Sequence, residues 1–155
     1  MLGHMSHSAK ILVPLLSAVL LLPGCGRDYR TYELDRASFD AKTFQRIQAD
    51  TGIALPAGAR GLNFYYKPPI DPAYIAKIEI PPSSMEDVIK TLSVIKNDDN
   101  LHITDSLGTK VRWWIPNGAK VLVDRQKFVG TGNYLHVILT EEDTTVILYI
   151  EWWVI

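Results

Sequence analysis

A short apolar run that ends near the only cysteine decides which part of this chain can fold as a domain. The run occupies residues 11–22, follows the positively charged Lys10 and precedes Gly24 and Cys25. A basic start, an apolar segment and a small residue before a cleavage point form the order of a secretory signal peptide. The run is also too short to span a bilayer, which takes about 20 apolar residues. We therefore predict that residues 1–24 are removed on export.

The motif Leu22-Pro23-Gly24-Cys25 resembles the lipobox of bacterial lipoproteins. The resemblance covers only residues 1–25. In that family a peptidase cleaves before the cysteine, and the cysteine thiol carries a diacylglyceryl group. The resemblance implies that Cys25 is lipidated, and two acyl chains are enough for stable anchoring. The alternative is an ordinary cleaved signal with a chance cysteine at its end.

The residue after the cysteine bears on localisation. It is Gly26 here, whereas an aspartate at this position often retains lipoproteins of this family at the inner membrane. The resemblance therefore implies a lipid-anchored protein of the cell envelope. It favours the outer membrane, facing the periplasm, over the inner membrane.

Composition limits what the exported part can be. Removal of residues 1–24 leaves about 131 residues, which is one domain of ordinary size. The chain has 16 basic and 17 acidic residues, and only Lys10 is lost with the signal, so the mature net charge is 15 minus 17, or −2. Without a basic excess we expect no nucleic-acid partner. An acylated Cys25 leaves no cysteine for a disulfide, so the domain depends on its hydrophobic core.

Three segments follow from this reading of the chain. Residues 1–24 are the signal peptide, residues 25–36 a polar, lipidated tether, and residues 37–155 the folded domain. Tyr29 and Tyr32 interrupt the polar tether, so the alternative is a first strand that begins inside it and leaves the tether shorter.

Two helices are predicted from apolar periodicity. The first covers residues 38–51, with Ser38 or Asp40 as its N-cap and Gly52 as the left-handed residue that ends it. The second covers residues 84–96, and a capping box involving Ser83 or Ser84 is expected at its start. The apolar face of the second helix is formed by Met85, Val88, Ile89, Leu92 and Ile95.

The other predicted elements are strands. They cover residues 62–67, 74–80, 111–115, 120–128, 134–140 and 144–155. In the first strand, Leu62, Phe64 and Tyr66 are expected on one face because side chains alternate along a strand. Short links between strands require antiparallel pairing. The predicted fold class is therefore α+β, a single domain with an antiparallel sheet of about five to six strands and two helices on one face.

Catalytic and metal-binding patterns are weak, and we predict neither an enzyme nor a cofactor. The chain lacks the Gly-x-Ser-x-Gly sequence of a nucleophile elbow. His102 and His136 are the only histidines of the mature chain, too few for a four-ligand zinc site without a free thiol. The acidic loop with Asp98, Asp99 and Asp105 lacks EF-hand spacing. The alternative function is a small envelope hydrolase, in which one of the histidines meets a serine and a carboxylate.

One possible binding face comes from the alternation of side chains in the last strand. Glu151 favours a solvent-facing side, and Tyr149 and Trp153 share its parity. By the same reasoning Tyr134 and His136 face outward from the neighbouring strand. We interpret Tyr134, His136, Tyr149 and Trp153 as part of an open aromatic face, since such faces mark interaction sites. The alternative is that the tether, the loop at residues 97–110 or a second layer covers this face.

The expected function is therefore that of a non-enzymatic lipoprotein of the bacterial envelope. The lipid on Cys25 attaches it to the membrane, and it binds a protein partner or a ligand close to that membrane.

Overall fold

The computed structural model describes residues 30–155, apart from residues 69, 99–100, 102–105 and 131. The predictions for the signal peptide, for Cys25 and for His102 therefore lie outside the described residues. The fold class is as predicted: one antiparallel six-stranded sheet and two helices, in an α+β domain.

The strands follow the order β1-β2-β3-β6-β5-β4 across the sheet. Their bounds are β1 Tyr32–Asp35, β2 Arg60–Lys67, β3 Ala73–Ile80, β4 Lys120–Val129, β5 Asn133–Glu142 and β6 Thr145–Val154. Each neighbouring pair is antiparallel. Strands β3 and β6 lie at the centre, where the run of apolar residues in each is buried from both sides.

Helices α1 (Ala41–Thr51) and α2 (Met85–Ser93) cover one face of the sheet. The Asp40 side chain accepts a hydrogen bond from the Thr43 N–H and caps α1, and Gly52 ends it at φ 71°. The capping box predicted for α2 is wrong. A 3-10 turn at Pro82–Ser84 leads into α2, and the Ser84 side chain makes no capping bond. Within the described ranges, neither helix is long and apolar enough to cross a membrane.

The main core lies between the helices and the sheet. The predicted face of α2 packs there: Val88 and Leu92 are buried, and Met85, Ile89 and Ile95 are partly buried against the same cluster. The sheet contributes aromatic as well as aliphatic side chains. Tyr74 of β3 stacks on Trp152 of β6, with ring centroids 5.3 Å apart.

Three details of the strands differ from the predictions. Strand β1 lies within residues 25–36, which were predicted as tether, so the alternative of a shorter tether holds. Residues 111–115 are not a strand but part of an irregular segment. A register shift between Gly61 and Asn63 turns Leu62 to the face opposite Phe64, because a bulge adds one residue to the alternation.

The two ends of the sheet differ in what they carry. Residues Tyr32, Tyr66, Tyr74 and Trp152 lie in one row across β1, β2, β3 and β6. This row lies near the end that holds the β2–β3 turn, the β4–β5 turn and the end of β6; we name it the Tyr32 end. The opposite end holds the β5–β6 turn with Asp143, and we name it the Asp143 end.

Candidate functional site

The sheet face opposite the helices is covered rather than open. Alternation along the strands is as predicted: Tyr134 pairs with Trp153 and His136 with Glu151, on the same face. However, residues 106–115 pack over part of it, against side chains of β3, β5 and β6 that include Tyr149. Tyr149 and Tyr134 are both buried. The interpretation of these two residues as part of an open aromatic face is therefore wrong. The alternative of a covered face is correct in part: Leu107 belongs to the loop at residues 97–110 that was named as a cover, whereas Val111, Trp113 and Trp114 come from the segment predicted as a strand.

Glu151 shows how this cover is fixed. The residue is only 2% exposed. Its carboxylate accepts hydrogen bonds from the Ser106 hydroxyl at 3.0 Å and from the Leu107 N–H at 2.8 Å. A buried carboxylate is tolerated when it is paired and hydrogen-bonded. Glu151 therefore holds the covering segment in place instead of marking a solvent-facing side.

His136 lies between two carboxylates on the same face. Its Nε2 is 2.8 Å from Asp124 Oδ1, and its Nδ1 is 3.9 Å from Glu151 Oε2. Burial lowers the pKa of His136, but the interactions with Asp124 and Glu151 outweigh burial and raise the pKa to about 9. His136 is therefore an imidazolium at neutral pH, whereas a general base must be unprotonated. The Ser106 hydroxyl bonds to Glu151 and not to His136.

Two tryptophans form the rest of the cover. The Trp114 ring meets Tyr149 edge-on, with centroids 5.1 Å apart, and the Trp113 indole N–H donates to Glu33 of β1 at 2.5 Å. Gly108 lies directly beneath Trp114, where a Cβ atom would collide with the indole ring. Trp113 and Trp114, which lie in the segment predicted as a strand, thus help to close this face.

Of the four residues predicted on the open face, Trp153 and His136 keep some exposed surface. Trp153 is half-buried, and the Lys67 ammonium lies 5.8 Å from its ring centroid. Its indole nitrogen is buried without a hydrogen-bond partner among the described residues. Trp153 lies at the Tyr32 end, apart from the Asp143 end.

At the Asp143 end, the Glu142 carboxylate joins three strands. It accepts hydrogen bonds from the Tyr149 hydroxyl at 2.5 Å and from the Lys77 ammonium at 3.1 Å. The ammonium also lies 5.1 Å from the Tyr149 ring centroid. Burial, and then the hydrogen bond to Glu142, raise the pKa of Tyr149 above its ordinary value. The Tyr149 hydroxyl therefore stays protonated and fixes the orientation of Glu142.

A small cavity of about 310 Å³ opens beside Glu142. Its lining residues are Ile115, Gly118, Ala119, Lys120, Glu141, Glu142 and Asp143. Lys120 pairs with Glu141 at 2.7 Å, so the carboxylates in the lining outnumber the cations. Ile115 adds an apolar side chain that is 57% exposed. The predicted strands at residues 134–140 and 144–155 leave residues 141–143 as a connection, and the approach of residues 115–120 to it has no local signal in the sequence.

Metal ligands do not converge in the part of the chain that the structure describes. No group of three histidine, cysteine or acidic side chains is placed there to hold an ion. Of the acidic loop considered as a calcium site, Asp99 and Asp105 lie outside the described residues.

Comparison with known proteins does not assign this chain to a family. No protein-family model matches the chain, and no curated protein or solved structure matches it either.

Proposed function

We propose that this protein is a lipid-anchored lipoprotein of a bacterial envelope that binds a protein or ligand close to the membrane and catalyses no reaction. The observation that carries the proposal is the Leu22–Cys25 motif, placed directly ahead of the fold. Only residues 26–31 separate Cys25 from β1. A lipid on Cys25 would therefore hold the domain against the bilayer.

The length of the chain between Cys25 and β1 limits how far the domain can lie from the bilayer. Seven steps join the Cα atoms of Cys25 and Tyr32, and at 3.3–3.6 Å per residue they reach about 25 Å at most. The sheet itself is longer, because nine steps along β6 at about 3.3 Å give about 30 Å. The cavity at the Asp143 end then faces away from the point of attachment. A partner in the aqueous phase has access to it there.

The cavity favours a partner with positive charge and an apolar contact. Glu142 is held by fixed hydrogen bonds, and Glu141 and Asp143 flank it. Lys77 and Lys120 already pair with Glu142 and Glu141, so the negative charge left over in the lining is that of the exposed Asp143. This charge complements a lysine or arginine side chain, and charge complementarity favours specificity. Ile115 offers the neighbouring apolar surface. We propose that the partner is a protein segment or ligand that carries a cation.

The alternative, a small hydrolase, has less support from the geometry. The discriminating feature would be a histidine in hydrogen-bond reach of a serine and a carboxylate. His136 has the carboxylates but is protonated, and Ser106 donates to Glu151 instead. A nucleophilic serine needs an adjacent base, which His136 does not provide.

The test is capture of the partner from the native envelope by the full-length protein and two variants. Ile115→Ser removes apolar surface from the cavity. Val94→Ser makes a similar change at the end of α2, where Val94 is 80% exposed. We expect Ile115→Ser to weaken capture by at least about 1 kcal/mol, about fivefold in Kd, and Val94→Ser to leave it unchanged. Equal capture by all three proteins would show that the cavity is not the binding site.

A further inference from the structure

We propose that the Tyr32 end of the domain docks on the lipid surface itself, through the exposed side chains of Ile70 and Phe128. The inference rests on the proposed lipid anchor and goes beyond it, because an anchored domain need not touch the bilayer. In this proposal the Tyr32 end of the sheet binds one kind of surface, a bilayer that contains anionic lipids.

Exposed apolar residues collect at this end. Six large apolar side chains are exposed among the described residues, and three of them lie at the Tyr32 end: Ile70, Phe128 and Ile155, which are 92%, 49% and 68% exposed. Ile70 lies in the β2–β3 turn, and Phe128 lies in β4 next to the β4–β5 turn. Three strand spacings of about 4.8 Å separate β3 from β4, so the row is about 15 Å wide.

The position of the proposed lipid anchor favours the bilayer as the surface that the Tyr32 end contacts. Tyr32, the first residue of β1, is in the same cross-strand row as Trp152, near the end of β6. The chain therefore leaves the fold toward Cys25 beside Ile70 and the end of β6. If the molecule were turned over, Tyr32 would lie about 25 Å from the lipid, a distance that the seven steps to Cys25 span only at full extension.

Charge at the same end fits an anionic surface. Arg30 and Lys67 are exposed and Lys127 is half-buried, against two exposed acids, Asp71 and Glu33, and the Glu33 carboxylate accepts a hydrogen bond from the Trp113 indole N–H. Basic side chains next to a bilayer are attracted to anionic headgroups. The half-buried Trp153 lies beside Lys67, and tryptophan is enriched at the level of the headgroups.

The Asp143 end is a poor candidate for the same contact. Its surface carries ion pairs, Lys120 with Glu141 and Arg36 with Glu79, together with the cavity carboxylates. Removing such charges from water is costly. The molecule thus has one end suited to lipid and one end suited to an aqueous partner.

The test uses the full-length protein, extracted from bacterial membranes and reconstituted in vesicles of phosphatidylethanolamine and phosphatidylglycerol. Since Cys25 is acylated in the proposal, an introduced cysteine is the only free thiol. Ile70→Cys and Phe128→Cys place a fluorescent label at the Tyr32 end. The matched control, Val121→Cys, places it at the start of β4, where Val121 is 45% exposed at the opposite end.

Two quenchers and flotation separate the outcomes. Brominated acyl chains should quench the labels at positions 70 and 128 and leave the label at 121 unchanged, and aqueous iodide should do the reverse. Protein that floats with the vesicles but whose label at 70 is as accessible to iodide as that at 121 would overturn docking and leave the anchor intact. Labels shielded from iodide but not quenched by brominated lipid would mean that a second copy covers this end, which also overturns the proposal. Protein that does not float would overturn the anchor and, with it, the docking.

Discussion

At the scale of single residues, the charged group next to the covering segment is notable because it includes a buried carboxylate, Glu151. Glu151 is bonded to Ser106 and Leu107 of the covering segment, His136 lies beside Glu151, and Asp124 completes the group at the surface. Removing one member of a buried ion pair leaves an uncompensated charge and costs about 3–5 kcal/mol. The group therefore makes the position of the covering segment depend on charge as well as on packing.

His136 should make stability depend on pH in a defined direction. Its pKa is raised to about 9 in the folded protein from about 6.5 in the unfolded chain. The stabilisation is therefore fully present below about pH 6.5 and is lost as the pH rises through about 9. Because the partner Asp124 is partly exposed to solvent, we expect a loss of only about 1–3 kcal/mol.

Urea unfolding of the wild type and of His136→Gln at about pH 6 and about pH 10 measures this contribution. The wild type should lose stability between the two pH values, whereas His136→Gln, although less stable throughout, should lose much less. The same loss in both proteins would place the pH dependence elsewhere.

Single-residue reasoning from the sequence was correct for the face of Glu151 and wrong for its environment. Alternation along β6 follows from backbone geometry, so Tyr149, Glu151 and Trp153 do share a face. Whether that face meets solvent depends on Ser106 and Leu107, which are more than forty positions away in the chain. A contact at that separation leaves no local pattern.

At the scale of elements, Leu92 is the most deeply buried side chain of α2. Leu92 is fully buried between α2 and the sheet. We expect Leu92→Ala to lower the free energy of unfolding by about 2–5 kcal/mol, the sum of lost burial and the cavity left behind. Val94→Ala, two residues later on exposed surface, should change it by less than about 0.5 kcal/mol. Chemical denaturation measures both, and equal small losses would contradict the packing of α2.

Elements with local signals were predictable, and those defined by distant contacts were not. Asp40 and Gly52 mark the ends of α1 through their own hydrogen bonding and backbone conformation. In contrast, residues 111–115 combine tryptophan and β-branched side chains, a composition shared by a strand and by an irregular segment that packs over a sheet. β1 is only four residues long and is defined by its pairing with β2. The cavity at the Asp143 end likewise forms only when residues 115–120 meet the β5–β6 turn.

At the scale of the whole molecule, the two ends of the sheet have different surfaces. The Tyr32 end carries exposed apolar side chains and the start of β1, and the Asp143 end carries ion pairs and the cavity. A short connection to a lipid gives this asymmetry a direction, with the apolar end toward the bilayer and the acidic cavity toward the aqueous phase. Both proposals about the folded domain therefore depend on the modification of Cys25.

The most direct measurement is the incorporation of radiolabelled palmitate into the full-length protein in bacteria, compared with Cys25→Ser. The wild type should be labelled and should fractionate with membranes, because two acyl chains anchor stably without a further contact. Cys25→Ser should take up no label, since it has no thiol to acylate. Equal labelling of both proteins, or a wild type that is soluble and unlabelled, would contradict the account.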